Sequence, residues 1–365
     1  MGKIKILYTI PNFDTAGSGK VVYDLVKGLN KDLFDVEIAC SHNRGSFFKT
    51  VEGLGVPIHI IKTTTAYRPF FTLYKRLNPI VTFFKSNKYD IIHSWHWSSD
   101  WTEVLAARLA GVKWLYTKKA MSWGNKHWKI RSFLANYIVT INDEMLAFFP
   151  NKKQQGLIPL GIDTDFYNPE HFKNGFPRIE NKFHVITVAN LVPVKGIEVL
   201  IKALILLADT NIQLTVLGED TNDYASTLKQ KCITWGIDQQ VNFIGKKPDV
   251  RPYLAEADLY VIPTLDAGRR EGMPMALVEA MSMGVPVLGS QVSGVDYVLK
   301  DFPELLFKPG HAKDLAVSIK RIMDQSNEQN RILGDTLRKY CENHFSLRKC
   351  ILSHEVLYRK MKHGK

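Results

Sequence analysis

Short continuous runs of Val, Ile and Leu alternate with helical patterns along nearly the whole chain, in two successive series. The first comprises "KIKILYTI", "DVEIACS", "PIHII", "DIIHSW", "KWLYT" and "YIVTI"; the second comprises "FHVITVANL", "IQLTVLGE", "VNFIG", "ADLYVIPT" and "VPVLGS". Strands apolar along their whole length are buried on both faces. That is the condition of parallel sheets, whose strands are joined by helical crossovers. At 365 residues the chain is also too long for one typical core. The expectation is therefore an α/β protein of two doubly wound, Rossmann-like domains facing a central cleft, with ligands beyond the carboxyl ends of the strands. The segment "LIPLGIDTDFYNPEHFKNGFPRIENK", rich in Pro, Gly, Asn and charge, reads as the connection. Boundaries at 1–160 and 161–344 follow. The helical pattern "SLRKCILSHEVLYRKMK" has no domain of its own to complete, so 345–365 is expected to pack back on the first domain.

The first apolar run begins almost at the initiator Met, and no uncharged apolar stretch reaches about eighteen residues, the length of a membrane span. A cytoplasmic protein is expected. Cys40, Cys232, Cys341 and Cys350 show neither a CxxC nor a zinc spacing, which suits reduced structural thiols. The net charge of +12 is uneven: residues 1–170 hold 22 Lys and Arg against 14 Asp and Glu, and the remainder holds 26 against 22. Residues 53–89 and 104–142 contain no acid at all. In "YRPFFTLYKRLNPIVTFFK" bases alternate with Tyr67, Phe70, Phe71, Tyr74, Phe83 and Phe84. Such a stretch suits a surface resting peripherally on anionic lipid at the inner face of the membrane; a solvated basic face over core aromatics is the alternative. No nucleic-acid-binding motif accompanies the charge, so nucleic acid is not an expected partner.

Several loops after apolar runs have the composition of ligand sites. In "NFDTAGSGKVVYDLV" a Walker motif is excluded by Asp14 and Val21, and a dinucleotide fingerprint by Val22. What remains is close backbone approach at Gly17 and Gly19, or a plain tight turn. "ANLVPVKGIEVLIKAL" places Lys195 just before a helix, where a cation reaches a phosphate held at a neighbouring helix start. Gly218 and Glu219 in "VLGE", and Gly245 and Lys246 in "FIGKK", end two further strands at the same rim. His93 and His96 in "HSWHW" have no helical metal spacing, and no Asp-x-Asp pair marks a metal–nucleotide site. No metal is expected.

In "REGMPMALVEAM", residues 270–281, Pro274 suits the first helical position, and Leu277, Val278 and Met281 form the apolar face of the helix that follows. A helix start leaves backbone N–H groups unsatisfied and carries partial positive charge, so an anion would sit there, flanked by Glu271 and Glu279. The alternative is that Glu271 caps the helix and Glu279 is solvated.

Together these segments resemble the GT-B fold glycosyltransferases of family 4, which use nucleotide sugars and retain configuration. The resemblance covers most of the chain. It rests on Glu271-x7-Glu279 within "EGMPMALVEAMSMGVPV", on "LIPLGIDTDFY" and on "NLVPVKGIEVLI". It implies that Glu271 contacts the donor sugar, that Gly272, Met273, Pro274, Met275 and Ala276 hold sugar and diphosphate, and that Glu279 binds the ribose. Lys195 would neutralise the leaving diphosphate, and Gly17 would lie where acceptor and phosphate approach. The first domain would bind the acceptor, with His96 on that side, and the second the nucleotide sugar. The implied donor is a UDP-sugar or GDP-sugar, and the implied acceptor a glycan or lipid-linked saccharide in surface polysaccharide or glycolipid synthesis, with no cofactor. Two positions depart from the pattern: Asn190 stands where Arg is usual, and Lys119 where His is frequent. Losing the Arg removes a phosphate clamp that Lys195, or a basic first-domain residue such as Lys119, would partly replace. These departures keep open a catalytically silent GT-B subunit that binds nucleotide or glycan, while the glutamate pair disfavours a sugar-nucleotide epimerase.

Overall fold

The computed structural model describes residues 2–14, 16–122, 124–172, 182–267 and 271–364. Of the connecting segment, 173–181 lie outside the described residues, as does Arg270. The chain divides into two compact units, Met1–Gly161 with Leu347–Lys365, and Ile162–Ser346.

The first unit is built on a seven-stranded, wholly parallel sheet: β1 (Ile4–Thr9), β2 (Phe34–Cys40), β3 (Ile58–Ile60), β4 (Ile91–Ser94), β5 (Lys113–Lys118), β6 (Tyr137–Thr140) and β7 (Gln155–Leu157), in the order 3-2-1-4-5-6-7. The interior strand β1 has Ile6, Leu7 and Tyr8 fully buried. Such burial on both faces is why it reads as an unbroken apolar run. The Leu347–His363 helix belongs to this unit. It joins the sheet through Tyr358, whose hydroxyl lies 2.6 Å from both the Tyr8 hydroxyl and His93 Nδ1. His93 Nε2 lies 2.8 Å from Thr117 Oγ1, which makes His93 part of a buried structural chain. The four cysteines are free and buried.

The second unit repeats the plan with β8 (Phe183–Val188), β9 (Ile212–Leu217), β10 (Val241–Phe243), β11 (Leu259–Ile262), β12 (Val287–Ser290) and β13 (Leu306–Phe307), all parallel, in the order 10-9-8-11-12-13. Each sheet reverses its winding once, between β1 and β4 and between β8 and β11. At such a point the neighbouring loops diverge and leave an opening beyond the strand ends.

Pro274 does not occupy the first helical position: it is the residue before the helix, with ψ 100°, and the helix runs Met275–Ser282. Proline has no N–H to lose at either place, so both positions suit it. Leu277, Val278 and Met281 are fully buried. The basic aromatic stretch divides. Phe84 is in the core and Phe83 packs against it, whereas Phe70, Phe71 and Tyr74 are exposed.

Candidate active site

The loops after β8 and β11, on either side of the second switch point, build the candidate site. After β8 a single 3-10 turn, Pro193–Lys195, ends on Gly196 at φ 67°, and the Ile197–Leu207 helix begins. Only glycine fits at 196: a Cβ there would lie 1.9 Å from the Pro263 carbonyl oxygen, and the left-handed backbone is costly for any other residue. Leu265 N–H donates to the Val194 carbonyl at 2.8 Å, so the two loops are pinned together. That contact carries Lys195 across the switch point, and its ammonium donates to Glu271 Oε1.

Below the pair is a pocket of about 150 Å³, walled by Thr187–Ala189 from the end of β8, Ile262–Thr264 from the end of β11, and Met273–Ala276 at the helix start. Pro274, the residue before the Met275–Ser282 helix, supplies no side-chain cap. The first N–H groups and positive dipole end of the helix therefore adjoin the pocket beside a lysine and a glutamate. Glu271 is drawn to Lys195 rather than capping the helix. Glu279, one turn further on, is half-buried and accepts a hydrogen bond from the Tyr167 hydroxyl. Burial pushes Tyr167 above the usual phenol range, and the charge of Glu279 pushes it the same way. Tyr260, buried on β11, is raised by burial and then by Glu279 and Glu271 together, so both carboxylates act on the same stretch of strand.

Of the expected donor residues, Lys195, Glu271, Met273, Pro274, Met275 and Ala276 line one pocket. Gly272 is buried beneath them, and Gly294 supports it: a Cβ at 294 would lie 2.8 Å from the carbonyl oxygens of Glu271 and Gly272. Gly218 presses against the loop after β8, where a Cβ would meet the Ala189 carbonyl at 1.8 Å, and its N–H donates to the Gly245 carbonyl at 3.2 Å. Asn190, Glu219 and Lys246 are exposed and do not line the pocket. Sequence reasoning missed Gly196, Gly294, Thr264 and Tyr167. The dipeptide Lys-Gly before a helix was a usable signal for Gly196, since a left-handed residue often ends a turn there. Nothing local marked the others. Thr264 lines the pocket with a buried hydroxyl that has no hydrogen-bond partner among the described residues.

In the first unit Gly17 is a non-helical residue inside the Ala16–Gly28 helix. Lys119, just after β5, donates to Ser18 Oγ at 3.2 Å and to the Trp95 carbonyl, with its ammonium 5.2 Å from the Trp95 ring centroid. The structure thus brings Lys119 to the turn after β1. Gly19 packs on Phe13, whose ring a Cβ would meet at 2.9 Å. His96 is buried, 3.3 Å from Thr63 Oγ1 and 3.6 Å from Glu103 Oε1. Burial lowers its pKa against the opposing charge of Glu103. Glu103 would itself be raised by burial, but His96 and Arg131 hold it below the carboxylate range. Among the described residues no group of three or more His, Cys, Asp or Glu is placed to hold a metal ion.

Two family models match in tandem, "Glycosyltransferase Family 4" over residues 15–166 and "Glycosyl transferases group 1" over residues 169–339. The chain belongs to the family 4 glycosyltransferases. Its fold is GT-B. It is 24% identical to the capsular polysaccharide biosynthesis glycosyltransferase CapH of Staphylococcus aureus, over 88% of this chain and 91% of that protein. It is 29% identical to the amylovoran biosynthesis glycosyltransferase AmsK of Erwinia amylovora, over 49% of this chain and 47% of that one, so it spans about half the length of that relative. The solved structure of HepE from Anabaena, in complex with UDP and glucose, superposes with a TM-score of 0.79 at 18% identity, covering 97% of this chain and 99% of that one. No helix among the described residues of this glycosyltransferase is long and apolar enough to cross a membrane.

Proposed function

We propose that this glycosyltransferase moves a hexose from a nucleoside diphosphate sugar, with retention and without a metal, onto a glycan or lipid-linked acceptor in surface polysaccharide synthesis. The observation that carries the proposal is the convergence of Lys195, Glu271 and a helix start that Pro274 does not cap on one pocket at the β8/β11 switch point. The ammonium and the helix N–H groups take the diphosphate, where charge grows as the bond from the sugar C1 to phosphate breaks. Glu271 then turns to the sugar hydroxyls. Glu279, held by Tyr167, accepts from the ribose. The acceptor oxygen bonds to C1 on the face the phosphate leaves, and its proton passes to a phosphate oxygen, so no separate base is required. Gly17, Lys119 and His96 keep the roles the resemblance gives them, as phosphate and acceptor groups of the first unit. A UDP-sugar is the favoured donor, on the analogy of HepE, with a GDP-sugar as the competitor. The polysaccharide assignment draws on the names of CapH and AmsK, and it puts the enzyme on the cytoplasmic side of the membrane.

Parallel calorimetric titrations of UDP and GDP into the wild type and Glu279→Ala test the site. One nucleotide should bind and the substitution should weaken it by about tenfold, the cost of a hydrogen bond to a charged group. Binding of neither nucleotide would sink the donor reading and favour a silent subunit. The anomeric configuration of the product, read by NMR, tests retention.

A further inference from the structure

The two acid-free stretches form one surface. In the first, the 3-10 turn Phe70–Thr72 projects Phe71 into solvent at 80% exposure, flanked by the exposed Phe70 and Tyr74. This projection is held in place: Arg76 donates to the Ala66 carbonyl at 3.0 Å and to the Pro69 carbonyl at 2.9 Å. In the second stretch, the Lys126–Leu134 helix buries Trp128, Arg131 and Ser132 on one side. Its other side shows Lys126, Lys129, Ile130 and Phe133 at i, i+3, i+4 and i+7, with Phe133 81% exposed. Tyr67 joins the two. Its ring lies 5.9 Å from that of Phe70 and 4.9 Å from that of His127, the second residue of the helix.

A helix stripe of bare aromatic and aliphatic side chains costs solvation unless something covers it. The only charges that accompany these apolar groups in either stretch are positive, and Arg68, Lys75, Lys126 and Lys129 form no ion pair among the described residues. Rings that insert, with unpaired bases around them, match the acyl–headgroup boundary of an anionic bilayer, where rings enter the hydrocarbon and ammonium groups stay among the phosphates. We propose that Phe71 and Phe133 are paired anchors that seat the first unit on an anionic membrane, with Lys75, Lys126 and Lys129 as its electrostatic contacts. The proposal deepens the reading of a membrane-side acceptor, yet it needs neither donor nor acceptor to be present.

The test is co-sedimentation of the full chain, without nucleotide, on vesicles of phosphatidylcholine alone and of phosphatidylcholine with phosphatidylglycerol. The wild type should bind the anionic vesicles only. Phe71→Ser with Phe133→Ser should weaken binding by about tenfold or more. Lys75→Glu with Lys126→Glu and Lys129→Glu should weaken it by about fivefold or more for each charge. A Phe133→Trp variant should shift its emission to the blue on binding. Thermal melts and UDP titrations show whether each variant is folded, and they keep a failure here separate from a failure of the donor site. Absence of vesicle binding, or binding that the serine pair leaves unchanged, overturns the proposal. So does a wild-type dimer that the serine pair dissolves, which would assign the surface to a second copy of the chain.

Discussion

Replacing Lys195 by Met separates a phosphate ligand from a structural ion pair. The Lys195 and Glu271 side chains are 24% and 17% exposed, between surface and core. An ammonium donating to a phosphate oxygen contributes about 1.5–3 kcal/mol. Against this stands the contact with Glu271 that nucleotide must loosen, worth about 0.2–1 kcal/mol for a pair still reached by solvent. The difference is about 0.5–3 kcal/mol, so Lys195→Met should raise the Kd for UDP by more than about twofold and up to about 120-fold. Glu271→Gln acts in the opposite sense. It frees the ammonium and removes a carboxylate beside the phosphate, so UDP should bind as tightly as to the wild type or up to about fivefold more tightly, while transfer is lost. Calorimetric titration gives both constants, and thermal melts establish that each variant is folded. If Lys195→Met binds UDP within about twofold of the wild type, or if Glu271→Gln weakens binding as much as Lys195→Met does, the pair is structural and the reasoning fails.

Gly196→Ala should destabilise the second unit by about 2 kcal/mol or more, since a left-handed alanine alone costs about 1–2 kcal/mol and its Cβ would meet the Pro263 oxygen at 1.9 Å. It should also weaken UDP binding by moving Lys195; an unchanged melting temperature would refute the packing argument. His354 is buried beside His93, with a ring separation of 5.6 Å, and burial lowers its pKa to about 4 against the raising effect of the Cys350 carbonyl. Between pH 6.5 and 4 the unfolded chain binds this proton and the folded chain does not, so acidification removes up to about 3 kcal/mol. His354→Leu should flatten that part of the acid limb in urea titrations at stepped pH, leaving the slope contributed by His93 and His96, whose pKa values burial also lowers. Glu103 accepts from Thr63 Oγ1 at 2.5 Å and Trp114 Nε1 at 3.2 Å and faces Arg131 and His96. Glu103→Ala should cost about 3–5 kcal/mol, and adding Arg131→Leu should recover part of it. A double variant no more stable than the single one would count against an unpaired buried charge as the cause.

The fold class is legible in the sequence because period is a local property. Strands buried on both faces must be apolar at every residue, and parallel strands must be separated by helices, so two series of such runs already specify two doubly wound sheets. Gln155–Leu157 and Leu306–Phe307 escape that reading, since the first is a polar-to-apolar step running into the connecting segment and the second has only two residues. Exposure is decided elsewhere. "TFFK" and "PFFT" read alike, yet Phe84 is in the core and Phe71 in solvent, because the helix from Leu73 to Ser86 turns one pair toward the sheet while the preceding turn lifts the other away. Site geometry is equally non-local. Lys195 and Glu271 are 76 residues apart and meet only because β8 and β11 are neighbours and Gly196 lets one loop lie on the other. Tyr167 reaches Glu279 from a connecting segment with no periodic signal, and Thr264 becomes a pocket wall only when the sheet closes. Composition and spacing thus determine which elements form; strand order and backbone packing determine which side chains then share a pocket or a surface.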